Sequence, residues 1–310
     1  MPLALEFAEI TKEYRTWPGR KTVRALQKFS LSVHSGEIFG FLGPNGAGKS
    51  TAIHLAMGFM RPSSGTGQLL GHPFGNAAIR RRVGFLAENV ALYHRRAEDV
   101  IRFYGGLNGM HGPALEQATR TVLEAVDLQS ESRRNLAQFS RGMVQRMGLA
   151  QALVNDPELL ILDEPTSALD PAARVAVREL LLKFRSQGKT IFLSSHLLSE
   201  VELICDRVAI LSRGTIVRTG TLSSMLETSD QVEIVAQSVS PVLFANAMME
   251  GERIRFTVSK ALQREAIEQI WTAGGEVISV NPVRRSLEEL FLELTAPDSK
   301  VETSDLKVEN

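Results

Sequence analysis

The sequence predicts an α/β protein whose core is a mainly parallel sheet, and two observations lead to this fold class. Apolar segments of strand length alternate with helical segments along most of the 310 residues. Residues that can do chemistry follow several of these strands directly, as Asp163-Glu164 follows the apolar run Leu159–Leu162. Both features are typical of parallel sheets covered by helices, in which functional residues lie at the carboxyl ends of strands.

The strands are predicted from short apolar runs bounded by glycine, proline or polar clusters. Before residue 229 they are Leu3–Ile10, Leu31–Val33, Glu37–Leu42, Gln68–Leu70, Val83–Leu86, Glu158–Leu162, Lys189–Leu193, Arg207–Leu211 and Thr215–Arg218. We expect the last two to form a hairpin around Arg213-Gly214.

The helices are predicted from apolar spacing and from residues that start or stop a helix. In the same part of the chain they are Ser50–Met57, Ala77–Arg82, Glu98–Leu107, Ala114–Val126, Ser140–Asn155, Pro171–Ser186 and Leu197–Ile204. The block from about 88 to 155 is almost free of β-branched runs. We therefore expect it to be a helical lobe inserted into the sheet domain.

The pattern changes near Glu227–Asp230, and the chain after it predicts a small α+β domain over residues 229–295. Its expected strands are Gln231–Ala236, Arg253–Val258 and Glu276–Val280, and its expected helices are Ala261–Ala273 and Leu287–Leu294. Residues 296–310 are polar and charged without aromatics, which is typical of a disordered tail. The sequence thus predicts a first domain over residues 1–228, this small domain and the tail.

The composition favours a globular protein without a nucleic-acid partner. Lysine plus arginine and aspartate plus glutamate balance at 35 each, so the overall charge gives no attraction for a polyanion. The single cysteine, Cys205, excludes an intrachain disulfide and is expected to be a small buried residue. The N-terminus lacks the layout of a signal peptide, and no apolar run reaches about 18 residues. We expect a cytosolic chain that does not itself cross a membrane.

One loop carries the clearest chemical signal in the chain. The residues that follow the predicted strand Glu37–Leu42 are Gly43, Pro44, Asn45, Gly46, Ala47, Gly48, Lys49, Ser50 and Thr51, and they fit the pattern G-x-x-x-x-G-K-[ST]. Gly46 and Gly48 let successive backbone N–H groups point into one concavity. Lys49 supplies a charge for the β- and γ-phosphates, and the Ser50 hydroxyl is placed to ligate Mg²⁺. A glycine-rich surface turn is the alternative, but the strand–loop–helix context favours binding of a nucleoside triphosphate.

Hydrolysis of that triphosphate needs further groups, and three are predicted at the ends of strands. Asp163 ends a buried strand and suits Mg²⁺, while Glu164 lies just outside the strand end and can polarise a water. His196 follows the next strand and is a candidate sensor of the γ-phosphate. The alternatives are a helix-capping acidic pair and a hydrogen-bonded cap or core histidine.

Tyr14 is a candidate for base recognition, because an aromatic in a polar stretch can stack on a nucleotide base. Trp17 could do the same, and an amphipathic residue on the sheet edge is the alternative.

Five ordered segments together resemble the ATP-binding cassette of ABC transporters. They are Gly43–Thr51, Phe139–Arg146, Leu160–Thr166, Ser167–Asp170 and Ser194–His196. Many phosphate-loop ATPases share the first and third segments, but the serine-glycine helix start between them is specific to this family. The segment Phe139–Gln145 is similar to the family's L-S-G-G-Q signature. The resemblance covers Leu3 to about Gly220.

The resemblance implies a fold, an assembly and roles for individual residues. The fold is a phosphate-loop cassette with a parallel core, an antiparallel β subdomain and a helical lobe. The assembly is a head-to-tail homodimer with two ATP molecules between the subunits. The implied roles are adenine stacking for Tyr14, Mg²⁺ binding for Asp163, general base for Glu164, switch histidine for His196, and γ-phosphate contact across the dimer for Ser140 and Gly142.

Two positions depart from the family pattern. Arg141 stands where the first glycine of the signature is usual, although Ser140 and Gly142 keep the hydroxyl and the open backbone. Glu88 stands where a glutamine normally reaches Mg²⁺ and touches the transmembrane partner, and a carboxylate can still ligate Mg²⁺. The segment Ala87-Glu88-Asn89 is similar to that of bacterial exporters whose permease is a separate polypeptide.

These implications predict an ATPase subunit that powers export through a separate integral membrane permease and lies at the cytoplasmic face of the membrane. The expected cofactors are ATP and Mg²⁺. One alternative is a soluble ABC ATPase on ribosomes or DNA, and another is a nucleotide-gated module without turnover. The cargo is not encoded here, since specificity belongs to the permease.

Overall fold

The computed structural model describes residues 2–15, 22–88, 90, 95–167, 169–226, 228–244, 246–284 and 286–295. They form two compact units. The first contains the described residues up to Leu222 together with residues 291–295, and the second is Ser223–Leu290. The first unit ends at Leu222, before the expected boundary at residue 228. The backbone N–H of Leu222 donates to the carbonyl of Asp206. The predicted tail at 296–310 and Trp17 lie outside the described residues.

The strands of the first unit are β1 Leu3–Arg15, β2 Thr22–His34, β3 Ile38–Leu42, β4 Ser64–Leu69, β5 His72–Pro73, β6 Val83–Leu86, β7 Leu159–Asp163, β8 Thr190–Ser195, β9 Arg207–Ser212 and β10 Thr215–Thr221. The α-helices up to the boundary are α1 Lys49–Ala56, α2 Ala97–Leu107, α3 Gly112–Ala125, α4 Arg141–Leu153, α5 Pro171–Ser186, α6 Leu198–Ile204 and α7 Leu222–Met225. Two short 3₁₀ helices span Ile79–Arg82 and Leu136–Gln138.

The central sheet positions the functional residues. Its strand order is β10-β9-β3-β8-β7-β6, and every neighbouring pair is parallel except β10 with β9. The register pairs Leu42 of β3 with Ser195 of β8, and Asp163 of β7 with Ser194 of β8. The loops that follow β3, β7 and β8 therefore leave the sheet side by side at one edge, which confirms the predicted α/β class.

A second, antiparallel sheet of the same unit has the order β2-β1-β4-β5. Its strands β1 and β2 are longer than the predicted Leu3–Ile10 and Leu31–Val33. The added part of β1 is polar, whereas the added part of β2 contains the buried Leu26 and Phe29 three residues apart, which does not follow the alternation from which strands are predicted. Phe7 and Phe29 from these strands pack edge to face at 4.9 Å between ring centroids and join the core beneath the central sheet.

The helical lobe is formed by α2, α3 and α4, which pack on one another. Helix α4 begins one residue later than predicted, because Ser140 is its N-cap and accepts a hydrogen bond from the Met143 N–H at 3.3 Å. Ala77–Arg82, predicted as helical, contains a 3₁₀ helix at Ile79–Arg82, the kind of helix that occurs in runs of three or four residues. Strands β7 and β8 each extend past the predicted end, to Asp163 and Ser195.

The second unit contains an antiparallel sheet with the order β12-β13-β11-β14. Its strands are β11 Thr228–Gln237, β12 Met248–Glu250, β13 Arg253–Ser259 and β14 Glu276–Arg284, followed in the chain by α9 Leu287–Thr295; α8 Gln263–Thr272 precedes β14. Phe244 stacks on Phe256 at 4.0 Å within its core. Strand β12 was not predicted, because its three residues are exposed and show no apolar pattern.

Two sequence expectations about single features can be checked directly. Cys205 is a buried free thiol at the end of α6, and burial raises its pKa well above the ordinary value. Within the described part of the chain, the helices are all too short or too polar for a membrane crossing.

The aromatic packing of the central sheet gives a stability prediction. Phe192 is 1% exposed and lies between Phe39 and Phe41, at 6.0 Å and 5.3 Å between ring centroids. We expect Phe192→Ala to lower the free energy of unfolding by about 3–5 kcal/mol, because it leaves a cavity in the core. The measurement is urea denaturation of the nucleotide-free protein.

The matched control is Leu203→Ala on α6, a large apolar side chain that is 60% exposed. It should change the free energy by no more than about 0.5 kcal/mol. Equal losses in the two variants would contradict the packing described for the sheet.

Candidate functional site

A cavity of about 540 Å³ opens at the edge of the central sheet where β3, β7 and β8 end. Its lining includes Ala25, Gly43, Pro44, Asn45, Gly46, Gly48, Lys49, Ser50, Thr51, Glu88, Asp163, Glu164 and His196. Most of the predicted site residues therefore meet in one place. Ala47 is buried within the loop, while Tyr14, Ser140 and Gly142 lie elsewhere.

Glycines shape the loop around the cavity. Gly46 and Gly48 have positive φ angles of 80° and 113°, a region that residues with a Cβ rarely adopt. A Cβ on Gly48 would also lie 2.5 Å from the carbonyl oxygen of Ala25 in β2. Glycine at 48 therefore allows the loop to pack directly on the backbone of β2. Ala25 was not predicted as part of the site, since its contribution is a backbone position.

The amino end of α1 faces the cavity. Gly48 is the N-cap and offers no side-chain acceptor to the first N–H groups of the helix. Such N–H groups, at the positive end of the helix dipole, bind phosphate oxygens well.

Lys49 brings its positive charge into the same loop. The side chain is 7% exposed, and its Nζ donates to the carbonyl oxygen of Gly43 at 2.6 Å and lies 3.5 Å from that of Pro44. The ammonium thus has only neutral partners in the loop. Phosphate oxygens are stronger acceptors for it than carbonyl oxygens are.

Asp163 and Ser194 form a buried contact across β7 and β8. The two residues are partners in the parallel register, and the Ser194 hydroxyl donates to Oδ1 of Asp163 at 2.5 Å. The same hydroxyl accepts the backbone N–H of Glu164 at 3.1 Å. Ser194 was noticed in the sequence only as part of a motif. A hydroxyl residue directly after a fully apolar strand segment is the signal that could have singled it out.

Glu164 and His196 form the second contact at the strand ends. Oε2 of Glu164 lies 2.7 Å from Nδ1 of His196, and the glutamate side chain is 7% exposed while the histidine is 52% exposed. Glu164 has a φ of 52°, which is uncommon for a residue other than glycine, asparagine or aspartate. Its carbonyl accepts the Ser167 hydroxyl at 3.2 Å. The carboxylate is therefore oriented by His196, while Ser167 holds the backbone of the same residue.

The oxygen donors of the cavity fit Mg²⁺. The Ser50 hydroxyl and the carboxylates of Asp163 and Glu88 line the same space. Among the residues described by the structure, no three histidine, cysteine or acidic side chains are close enough to hold a metal by themselves. A cation here would take a few protein oxygens and complete its shell from phosphates and water, as Mg²⁺ does in nucleotide sites.

Ser140 and Gly142 lie at the exposed start of α4 and do not line the cavity of their own chain. A Cβ on Gly142 would lie 3.6 Å from Cβ of Ala173 at the start of α5. Arg141, between them, is exposed.

Tyr14 lies in β1 and is 39% exposed. Its hydroxyl donates to the sulfur of Met60 at 3.2 Å, and Nζ of Lys12 is 5.4 Å from its ring centroid. The ring therefore has a cation near it, but the tyrosine does not line the cavity at the ends of β3, β7 and β8.

Comparison with known proteins assigns the family. The family model described as ABC transporter matches residues 26–167. An ABC transporter ATP-binding protein of Nostoc sp. (strain PCC 7120) is 40% identical over 300 residues, covering 94% of this chain and 89% of the relative. The chain belongs to the ABC transporter ATP-binding proteins. It is an ATP-binding subunit and an ATPase of this family.

Two further matches extend the comparison. Nod factor export ATP-binding protein I of Sinorhizobium fredii is 34% identical over 310 residues, covering 96% of this chain and 88% of the relative. A solved ATP-binding cassette, dimeric in a post-hydrolysis state with ADP and Pi, matches with a TM-score of 0.65 and 25% identity. That match covers 70% of this chain and 98% of the solved chain, and it confirms the cassette fold.

The glycines of the ABC ATPase loop give a graded prediction. Gly46→Ala should lower the free energy of unfolding by about 1–2 kcal/mol, because alanine is strained at positive φ although no atom lies within 4 Å of the new Cβ. Gly48→Ala should lower the free energy of unfolding by clearly more, since its Cβ would also collide with the Ala25 carbonyl oxygen. Urea denaturation without nucleotide and ATP titration measure both effects.

Gly106→Ala in α2 is the control, because its Cβ would meet open space in an ordinary helix. This change should stabilise the protein by about 0.5–1 kcal/mol and leave ATP affinity unchanged. A Gly48→Ala variant as stable as Gly46→Ala would contradict the packing of the loop on β2.

Proposed function

We propose that this ABC ATPase powers export across the cytoplasmic membrane through a separate integral membrane permease, bound at the inner face of the membrane. The observation that carries the proposal is the match to a protein named for Nod factor export. The alignment spans 96% of this chain, so the similarity includes the part after the cassette. In this proposal residues 1–228 bind ATP, and 229–295 are a separate small domain.

The cavity supplies the groups that ATP and Mg²⁺ need. The loop N–H groups and Lys49 bind the β- and γ-phosphates, in exchange for the neutral partners that Lys49 has in the loop. Ser50, Asp163 and Glu88 would hold Mg²⁺, and the ion would supply positive charge to neutralise the phosphates. Tyr14 stacks on the adenine, which would place the base away from the phosphate cavity and toward β1.

Glu164 is the proposed general base of hydrolysis. Its carboxylate accepts a proton from the water that attacks the γ-phosphorus, while the bond to the oxygen between the β- and γ-phosphates breaks. His196 holds the carboxylate at 2.7 Å and, being half exposed, can also face the γ-phosphate. The close contact between the two residues supports a joint role.

A second copy of the chain completes the site in this proposal. Ser140 and Gly142 lie at the exposed start of α4 and away from their own cavity, so a γ-phosphate could reach them only from another subunit. The dimeric state of the solved cassette with ADP and Pi supports such an assembly. Closure on ATP and reopening after hydrolysis would drive the permease.

The main alternative is an ABC ATPase that works on ribosomes or DNA without a permease. Such proteins usually carry two cassettes in one chain or a long coiled-coil insertion. The charge of this sequence is balanced, and relatives that it matches over 94% and 96% of its length are named for ABC transport and for export. We therefore favour the transporter.

The role of Glu164 gives a direct test. Glu164→Gln should lower the ATP hydrolysis rate by about 10²–10⁴-fold, because the amide cannot accept the proton, and should leave ATP affinity nearly unchanged. With hydrolysis blocked, the Glu164→Gln protein should remain dimeric in the presence of ATP, which light scattering detects. The parent protein should lose specific activity on dilution.

Glu179→Gln, at an exposed position of α5, is the control for the same chemical change and should keep the parent rate. Full turnover in Glu164→Gln would overturn the base assignment. A monomer that is fully active at high dilution would contradict the proposal that two subunits share each ATP site.

Co-purification from membranes tests whether this subunit binds a permease. Affinity-tagged protein, expressed in its source cells and purified from detergent-solubilised membranes, should bring down a polypeptide with several membrane-spanning helices. The reconstituted pair should hydrolyse ATP faster than this subunit alone, and Glu164→Gln should remove that activity. Recovery with ribosomes or DNA instead would support the alternative.

A further inference from the structure

We infer that Ser194 is a positioning residue that sets the Mg²⁺-binding carboxylate and the general base together. The inference rests on the roles proposed for Asp163 and Glu164. It adds a residue that acts through these two and does not itself touch ATP.

Ser194 is fully buried on β8 and lies beside Asp163 on the neighbouring strand β7. It is 0% exposed, and the parallel register makes it the partner of Asp163. A buried hydroxyl must find hydrogen-bond partners, and here both partners belong to consecutive residues at the end of β7. The position therefore links Asp163 and Glu164 through one side-chain atom.

The direction of the two hydrogen bonds follows from the chemistry of the groups. A serine hydroxyl has one proton to donate, and an ionised carboxylate can only accept. The proton goes to Oδ1 of Asp163 at 2.5 Å, so the oxygen lone pairs receive the Glu164 N–H at 3.1 Å. The hydroxyl therefore donates to Asp163 and accepts from Glu164.

The contact with Asp163 fixes one carboxylate oxygen. With Oδ1 held by Ser194, the carboxylate cannot rotate freely, so its orientation would already be set when Mg²⁺ binds. Side chains that orient metal ligands in this way commonly change metal affinity or activity by about 10–100-fold when they are removed.

The contact with Glu164 holds an uncommon backbone conformation. The N–H of Glu164 donates to both Oγ and the carbonyl oxygen of Ser194, at 3.1 Å and 3.2 Å. These bonds hold the residue at a φ of 52°, from which its carboxylate reaches His196. If the hydroxyl is removed, the carbonyl still accepts this N–H, whereas Oδ1 of Asp163 loses its hydrogen bond from Ser194. The first effect of the change should therefore be on Mg²⁺.

The test compares nucleotide affinity with and without the cation. For Ser194→Ala, the Kd of the non-hydrolysable analogue AMP-PNP in EDTA should stay within about twofold of the parent, because the phosphate loop is intact. The gain in affinity on adding Mg²⁺ should fall by about tenfold, and kcat by about 10–100-fold. Ser194→Cys fills nearly the same space with a weak donor and should show a loss of the same kind. If the alanine variant does not fold, Ser194→Cys is compared with the parent in its place.

Thr190→Val is the matched control on the same strand. Thr190 is 2% exposed, and its hydroxyl accepts the Gly36 N–H at 2.9 Å, far along β8 from the site. The change removes a buried hydroxyl without touching Asp163 or Glu164. It should lower stability, while the Mg²⁺-dependent gain and kcat stay within about twofold of the parent.

The outcomes separate this inference from the function on which it rests. If Ser194→Ala keeps the parent's Mg²⁺-dependent gain and kcat, as Thr190→Val should, the hydroxyl is only structural and the inference is wrong. If Glu164→Gln turns over ATP normally, the proposed base is wrong, while the Mg²⁺ titration with AMP-PNP still decides the role of Ser194 toward Asp163.

Discussion

The alignment of three parallel strands is the constraint on which the site depends. Leu42 pairs with Ser195 and Asp163 with Ser194, so β3, β7 and β8 end at the same level. Side chains alternate along a strand, and a shift of one residue in β8 would turn Ser194 to the other face of the sheet. The aromatic packing of Phe192 against its neighbours on β3 secures this register. Geometry at the ATP site is thus set within the core, below the cavity.

Burial of charge is the second condition of the site. Lys49, Asp163 and Glu164 are 5–7% exposed, and a buried charge is costly unless polar partners surround it. Here the partners are loop carbonyls, the Ser194 hydroxyl and the His196 ring. The fold therefore stabilises three charged groups with neutral or weakly basic neighbours. This leaves the Lys49 ammonium available to phosphate oxygens, with which its hydrogen bonds are stronger, and leaves the two carboxylates available to a cation or a water molecule.

The sequence predicts those parts of the structure that local patterns determine. The phosphate loop depends on glycine and lysine spacing, and the buried strands show as apolar runs, so both could be located before the structure was known. The outer halves of β1 and β2 could not, because their apolar residues do not alternate regularly and the two halves are held by pairing with each other. Ser194 and Ala25 could not be singled out either. Their importance comes from what the sheet brings opposite them, whereas the roles of Tyr14, Ser140 and Gly142 depend on a ligand and a second chain.

The left-handed backbone at Glu164 has a consequence for how this position changes over time. The conformation suits glycine, asparagine or aspartate better than glutamate, so local folding preference and chemistry select different residues there. With Glu164 as the proposed general base, glutamate would be kept only as long as turnover is required. In a duplicated copy released from that requirement, substitution by glycine would relieve backbone strain and would be favoured by stability alone. Such a copy would keep its phosphate loop and become a nucleotide-binding subunit with one silent site.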